Sequence, residues 1–221
     1  MQRVCAFLTL CAYALLAVAA EPADLPVLLH EDFQKGADRW EPSDKAAWKI
    51  IESKQGPAYN QFAQSKYKPP HRSPLNFALL KDVSVGDFIL DAKCQSTVKD
   101  YGHRDLCLFF GYQDPAHFYY VHLGKKTDDH ANQIFIVDGA DRKKISTKTS
   151  AGTDWTDNWH QLRLVRKVGD GTVEVYFDDM KTPVMTATDK TFAWGRVGVG
   201  SFDDTGSWTD VKLRGKLAEK K

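Results

Sequence analysis

Four of the chain's seven histidines, His103, His117, His122 and His130, fall within one short stretch. Tyr101, Arg104, Asp105, Tyr112, Gln113, Tyr119, Tyr120, Asp128 and Asp129 are interleaved with them. Rings beside hydrogen-bonding groups suit a sugar chain. Aromatic faces stack on the apolar C–H faces of pyranose rings, and Gln, Asp, His and Arg replace the water that ring hydroxyls lose. Tyr101, His103, Gln113, His117 and Phe118 are the expected substrate contacts. The same stretch holds the side chains for acid–base work: His122 and Tyr120 to move a proton, with Arg104 and Asp105 beside them to balance charge. Zinc is a weaker reading, because His117 and His122 lie five apart with no convincing third and fourth ligands. The alternative to sugar contact is packing, with the rings covered by a long loop such as Tyr59 to Pro74.

The elements that must position these groups read as strands. Phe88 to Gln95, Leu106 to Tyr112, Phe118 to Leu123 and Ile134 to Val137 are short runs rich in aromatic and β-branched residues. Trp159 to Val165, Val173 to Phe177, Arg196 to Phe202 and Val211 to Leu213 continue the pattern. Asp114-Pro115, Asp138-Gly139, Gly169-Asp170-Gly171 and Thr205-Gly206 punctuate it as turns. No helical periodicity is sustained beyond about two turns. The reading is all-β, an antiparallel two-sheet β-sandwich. Alternation predicts Leu106, Leu108, Phe110, Tyr119, Val121 and Leu123 inward, with Asp105, Phe109, Gln113, Phe118, Tyr120 and His122 on the opposite face. Trp40, Trp48, Trp159 and Trp194 are assigned to the core.

The order of several segments resembles the concanavalin A-like lectin and glucanase superfamily. Glu31-Asp32-Phe33 with Trp40, then Trp48-Lys49-Ile50, match its opening. Trp159 to Leu164, the Gly169-Asp170-Gly171 turn, Val173 to Asp179 and Gly195 to Gly200 match its closing half. Within it the chain is similar to secreted bacterial proteins related to 3-keto-disaccharide hydrolase and laminin G-like domains. The resemblance implies a concanavalin A-like jelly roll over residues 31–215 and a polysaccharide or oligosaccharide partner. It also implies a structural Ca²⁺ held by Glu31 or Asp32 and Asp210, with Asp203 and Asp204 as substitutes. The glucanase strand with three acids on one face is missing, since Arg104-Asp105-Leu106-Cys107 carries one acid. Two alternatives to binding alone are a glycoside hydrolase or polysaccharide lyase using Arg104, Gln113, His122 and Tyr120, and a laminin G-like protein-interaction domain.

Residues 1–20 have the pattern of a secretory signal peptide: Arg3, an apolar run from Val4 to Val18, then Ala19 and Ala20 before Glu21-Pro22. The expected location is therefore secreted or periplasmic, with no membrane span in the mature chain. Residues 21–30 read as a leader and 216–221 as a charged tail. With 30 Lys and Arg against 29 Asp and Glu, nucleic acid is not an expected partner. Cys94 and Cys107 are left in a disulfide-permissive setting, yet the alternation places Cys94 inside and Cys107 outside, so a bridge and the face assignment conflict.

Overall fold

The computed structural model describes residues 25–218. The expected signal peptide, the start of the leader and the end of the tail lie outside the described residues. One sheet contains β1 (Val27–Glu31), β3 (Trp48–Ser53), β4 (Gly56–Gln61), β6 (Val85–Ser96), β11 (Ser146–Thr149), β12 (His160–Lys167), β13 (Thr172–Phe177), β14 (Met185–Thr188) and β16 (Gly206–Leu217). The other contains β2 (Trp40–Pro42), β5 (Asn76–Leu80), β7 (Asp105–Asp114), β8 (His117–Gly124), β9 (Gln133–Asp138), β10 (Lys143–Lys144) and β15 (Arg196–Ser201). The first runs β11-β14-β13-β12-β6-β16-β4-β3, with β1 also on β16, and the second β10-β9-β8-β7-β15-β5-β2. Among the described residues, helical structure is confined to a 3-10 turn at Lys45–Ala47, and no helix is long and apolar enough to cross a membrane.

β1 begins at Val27, within the segment read as a leader, and pairs with β16, which itself runs into the expected tail. The first and last strands are thereby stitched into one sheet. The inter-sheet core takes Leu106, Leu108, Phe110, Tyr119, Val121 and Leu123 from the second sheet, the set that alternation predicts. Trp40 and Trp48 join it, but Trp159 and Trp194 are half-buried, and Trp155 and Trp208 fill the core instead. Trp155 satisfies its indole N–H on the Leu123 carbonyl at 2.7 Å.

The opposite face of the second sheet is a second apolar layer containing Phe109, Phe118, Tyr120 and Phe135. Of the two readings of these rings, sugar contact and packing under the loop from Tyr59 to Pro74, the structure has the second. The segment between β4 and β5 crosses it, anchored where Ser65 N–H bonds Asn76 Oδ1 and Lys66 N–H bonds Asp44 Oδ2. Tyr67 then packs edge-on against Phe77. Farther along, Arg72 N–H donates to Asp141 Oδ1 and Arg142 N–H to the Arg72 carbonyl, which carries the Arg142 guanidinium over Phe135 and Phe202. Covering these rings removes apolar area from water at about 25 cal/mol per Å².

Cys94 lies in the inter-sheet core on β6, and Cys107 lies on the covered face on β7, in the other sheet. Both are free thiols. The face assignment stands and the bridge does not, because β6 and β7 are not ladder neighbours.

Candidate functional site

The ends of β7, β8 and β15 converge at one rim of the sandwich. Asp105 opens β7 opposite Gly124, and His122 on β8 stands opposite Cys107. On the other side of β7, Gly200 of β15 is registered with Cys107, so the chain leaving β15 delivers Phe202, Asp203 and Asp204 to the same place. Two reciprocal bonds fix the junction: Phe202 N–H donates to Asp105 Oδ2, and Asp105 N–H donates to Asp204 Oδ2, each at 2.8 Å. Gln61 Nε2 and Ser201 Oγ both donate to the Asp204 carbonyl at 2.6 Å. Strand ends alone would fray, so this web is what makes the rim a defined surface.

Carboxylate oxygens of Asp105, Asp203 and Asp204 lie within 4.8 Å of one another. Burial and the neighbouring Asp105 charge push Asp204 up to about 6, and the same two causes raise Asp203. His122 Nδ1 faces the His130 carbonyl at 2.9 Å, which makes that nitrogen the N–H donor. Nε2 points at Asp105 Oδ2 from 3.4 Å. Neither Nε2 nor Asp105 Oδ1 has a hydrogen-bond partner, although both are buried. Phe202 stacks on the His122 ring at 5.5 Å. Tyr101, 42% exposed, donates its hydroxyl to Asp204 Oδ1 at 2.7 Å, and His103 is exposed beside it.

Of the residues expected at one site, His122, Asp105, Tyr101 and His103 come together. Tyr120 is next to His122, but its hydroxyl accepts from Arg142 Nη1 at 2.8 Å and its ring is fully buried. Phe118 is buried among Phe109 and Tyr112. Arg104 turns away, donating to Ser96 Oγ, the Ser96 carbonyl and the Thr156 carbonyl. It fastens the rim to the opposite sheet. Gln113 and His117 lie at the far end of the β7–β8 hairpin, about 25 Å away at 3.3 Å per residue. There Gln113 donates to the Trp194 carbonyl, and His117 pairs with Asp114. Gln113 also leaves the face of Phe109, because Gly111, at φ +57°, forms a bulge that reverses the alternation and puts Tyr112 there instead.

Of the side chains assigned to calcium, the substitutes Asp203 and Asp204 cluster with Asp105, whereas Glu31, Asp32 and Asp210 do not come together. Asp210 is held by His30 at 2.8 Å and Lys93 at 3.1 Å. Glu31 accepts from Phe33 N–H and the Trp40 indole, and Asp32 from Gln34 N–H. Glu31, Asp32 and Asp210 form no common cluster among the described residues. Asp203 enters the sequence reading as a calcium substitute, and Arg142 and Phe202 carry no local signal of a site role. Their roles depend on strand pairing across roughly a hundred residues of sequence.

No protein-family model and no curated protein matches the chain. Solved structures do. The carbohydrate-binding module CBM66 from Bacillus subtilis superimposes with a TM-score of 0.56 at 14% identity, covering 80% of this chain and 95% of that one. Domain 4 of a GH43 extracellular arabinanase from Geobacillus stearothermophilus, in complex with arabinotriose, gives 0.54 at 12%, covering 88% and 95%. Lectin I-B4 from Griffonia simplicifolia, in its metal-free form, gives 0.53 at 13%, covering 84% and 97%. The chain has the concanavalin A-like jelly-roll fold that its opening and closing segments resemble.

Proposed function

We propose that the chain is an exported carbohydrate-binding protein whose glycan rests on the rim formed by Tyr101, His103 and Asp203, outside the buried Asp105–His122 pair. One observation carries the reading. Tyr101 presents its ring to solvent while Asp204 holds its hydroxyl, so a stacking face is already fixed before any ligand arrives. A fixed ring loses little side-chain freedom on binding, and the exposed imidazole and carboxylate beside it can meet sugar hydroxyls. The solved carbohydrate-binding module and the arabinotriose complex lend support through shared fold. The pattern of residues 1–20 supports export.

Binding without cleavage is the better reading. Arg104 and Gln113 do not converge with His122, so the lyase constellation is dispersed. Asp204, one of the two acids with a raised affinity for protons, already accepts bonds on both oxygens from Tyr101 and Asp105. Affinity retention on a polysaccharide panel, assayed together for reducing-end and unsaturated products, tests the proposal. Retention without product is expected, with Tyr101→Ala weakening it by about tenfold at unchanged fold. Failure of every glycan to bind, retention indifferent to Tyr101→Ala, or release of product would overturn it.

A further inference from the structure

We infer that a second sugar-binding pocket, built by Trp194, Tyr112, Gln113, Arg196, Ser84 and Asp82, takes one neutral sugar residue. The cleft has a volume of about 350 Å³, at the lower end of the range for small-ligand sites. It lies at the opposite end of β7 from the Tyr101 rim and shares no residue with it. Its occupancy goes beyond the rim reading and does not depend on it.

The walls are fixed before a ligand arrives. Val85 and Gly195 exchange backbone bonds at 2.9 and 3.2 Å, which ties the segment before β15 to β6. From the end of β7, Gln113 Nε2 donates to the Trp194 carbonyl at 3.2 Å. The Gly111 bulge is what turns Gln113 off the face of Phe109 and toward Trp194. Arg196, opposite Tyr112 in the β7–β15 ladder, lies over its ring at 5.4 Å and pairs with Glu41 of β2. A site held in this way loses little freedom on binding.

The lining selects the ligand. Trp194 is half-buried, so its indole borders the cleft while part of it is held by the protein. Indole and phenol rings suit the C–H faces of a sugar, and Gln113, Ser84 and Asp82 bring amide, hydroxyl and carboxylate groups to its hydroxyls. An anion is not favoured: Arg196 is the one cation in the lining, Glu41 already neutralises it, and Asp82 adds negative charge. A single exposed carboxylate does not select a cation either. Sequence alone assigns Trp194 to the core and Gln113 to substrate; the fold brings the two to one site.

The test follows the indole N–H signals of the full chain by NMR, with Trp194 assigned from Trp194→Phe, during titration with neutral gluco-, xylo- and arabino-oligosaccharides and with galacturonate oligomers. Expected is a saturable shift of the Trp194 signal by a neutral oligosaccharide, retained in Tyr101→Ala. Adding Trp194→Ala to Tyr101→Ala should weaken the remaining affinity by about tenfold, and adding Gln113→Ala should weaken it severalfold, each at unchanged Tm. A Trp194 signal that no neutral sugar moves, a response lost in Tyr101→Ala, affinity unchanged by both added substitutions, or tighter binding of galacturonate would overturn the inference. The Tyr101→Ala arm reports this pocket and retention by Trp194→Ala alone reports the rim, so the two readings fail separately.

Discussion

His122 presents Nε2 to Asp105 Oδ2 at 3.4 Å while its Nδ1 is tethered to the His130 carbonyl. Asp105 is bound in turn to Asp204 through its own N–H, so a negative charge is held against a second carboxyl that cannot move away. This relationship has a pH signature. Asp204 titrates near 6 against an ordinary value of 3.8, because burial and Asp105 both favour its neutral form. An acid raised by folding holds its proton more tightly folded than unfolded. Its contribution to stability is therefore complete below the unfolded value and lost as pH rises through about 6. Carboxyl NMR should place the Asp204 midpoint near 6, and Asp105→Asn should lower it. A midpoint near 4 in the unaltered chain would contradict the arrangement.

Arg104 was expected to meet substrate and instead spans the sandwich. Its guanidinium is 1% exposed and donates to Ser96 and to the Thr156 carbonyl, with Asp157 closing the contact at 3.1 Å. Arg104→Ala should lower unfolding free energy by about 3 kcal/mol, because buried carbonyls lose their donor. Urea denaturation measures this. A stable Arg104→Ala protein with lost glycan retention would restore the contact role.

Alternation carried the sequence reading of β7 and β8 to the correct faces as far as Phe110, because a half-buried strand writes its orientation every second residue. It failed at Gln113 for a local reason, the Gly111 bulge, which spacing alone does not announce. At Phe118 and Tyr120 the face is the one alternation gives, and only their exposure differs, for a long-range reason. Nothing in those rings distinguishes a face open to a glycan from one covered by Tyr67 and Arg142, since either favours aromatic residues beside polar ones. The His122–Asp105 pair was legible because both belong to one hairpin. Asp203 and Asp204 became neighbours of Asp105 only through the β7–β15 ladder.

Gly111 gives the bulge its own test. At φ +57° an L side chain is strained, and an added Cβ would come 3.0 Å from Tyr119 Cδ2. Gly111→Ala should therefore cost about 1 to 2 kcal/mol. An equal loss is not expected at Gly169, where nothing lies within 4 Å and φ is not in the left-handed range. Comparing the two denaturation midpoints isolates the bulge from the general cost of altering a glycine.

The two free thiols report separately on the two apolar layers. Burial pushes both well above the usual thiol range, so neither should react with iodoacetamide in the native protein. Cys94 is sealed between the sheets and opens only with global unfolding, whereas Cys107 lies on the face covered by the segment carrying Tyr67. Local opening of that segment needs less free energy than unfolding the sandwich. Tyr67→Ala should thus speed labelling of the Cys107 peptide by about tenfold, by mass spectrometry, while the Cys94 peptide stays protected. Recovery of a Cys94–Cys107 disulfide peptide would contradict the placement of these residues in different sheets, and equal acceleration at both thiols would show that the covering segment does not open on its own.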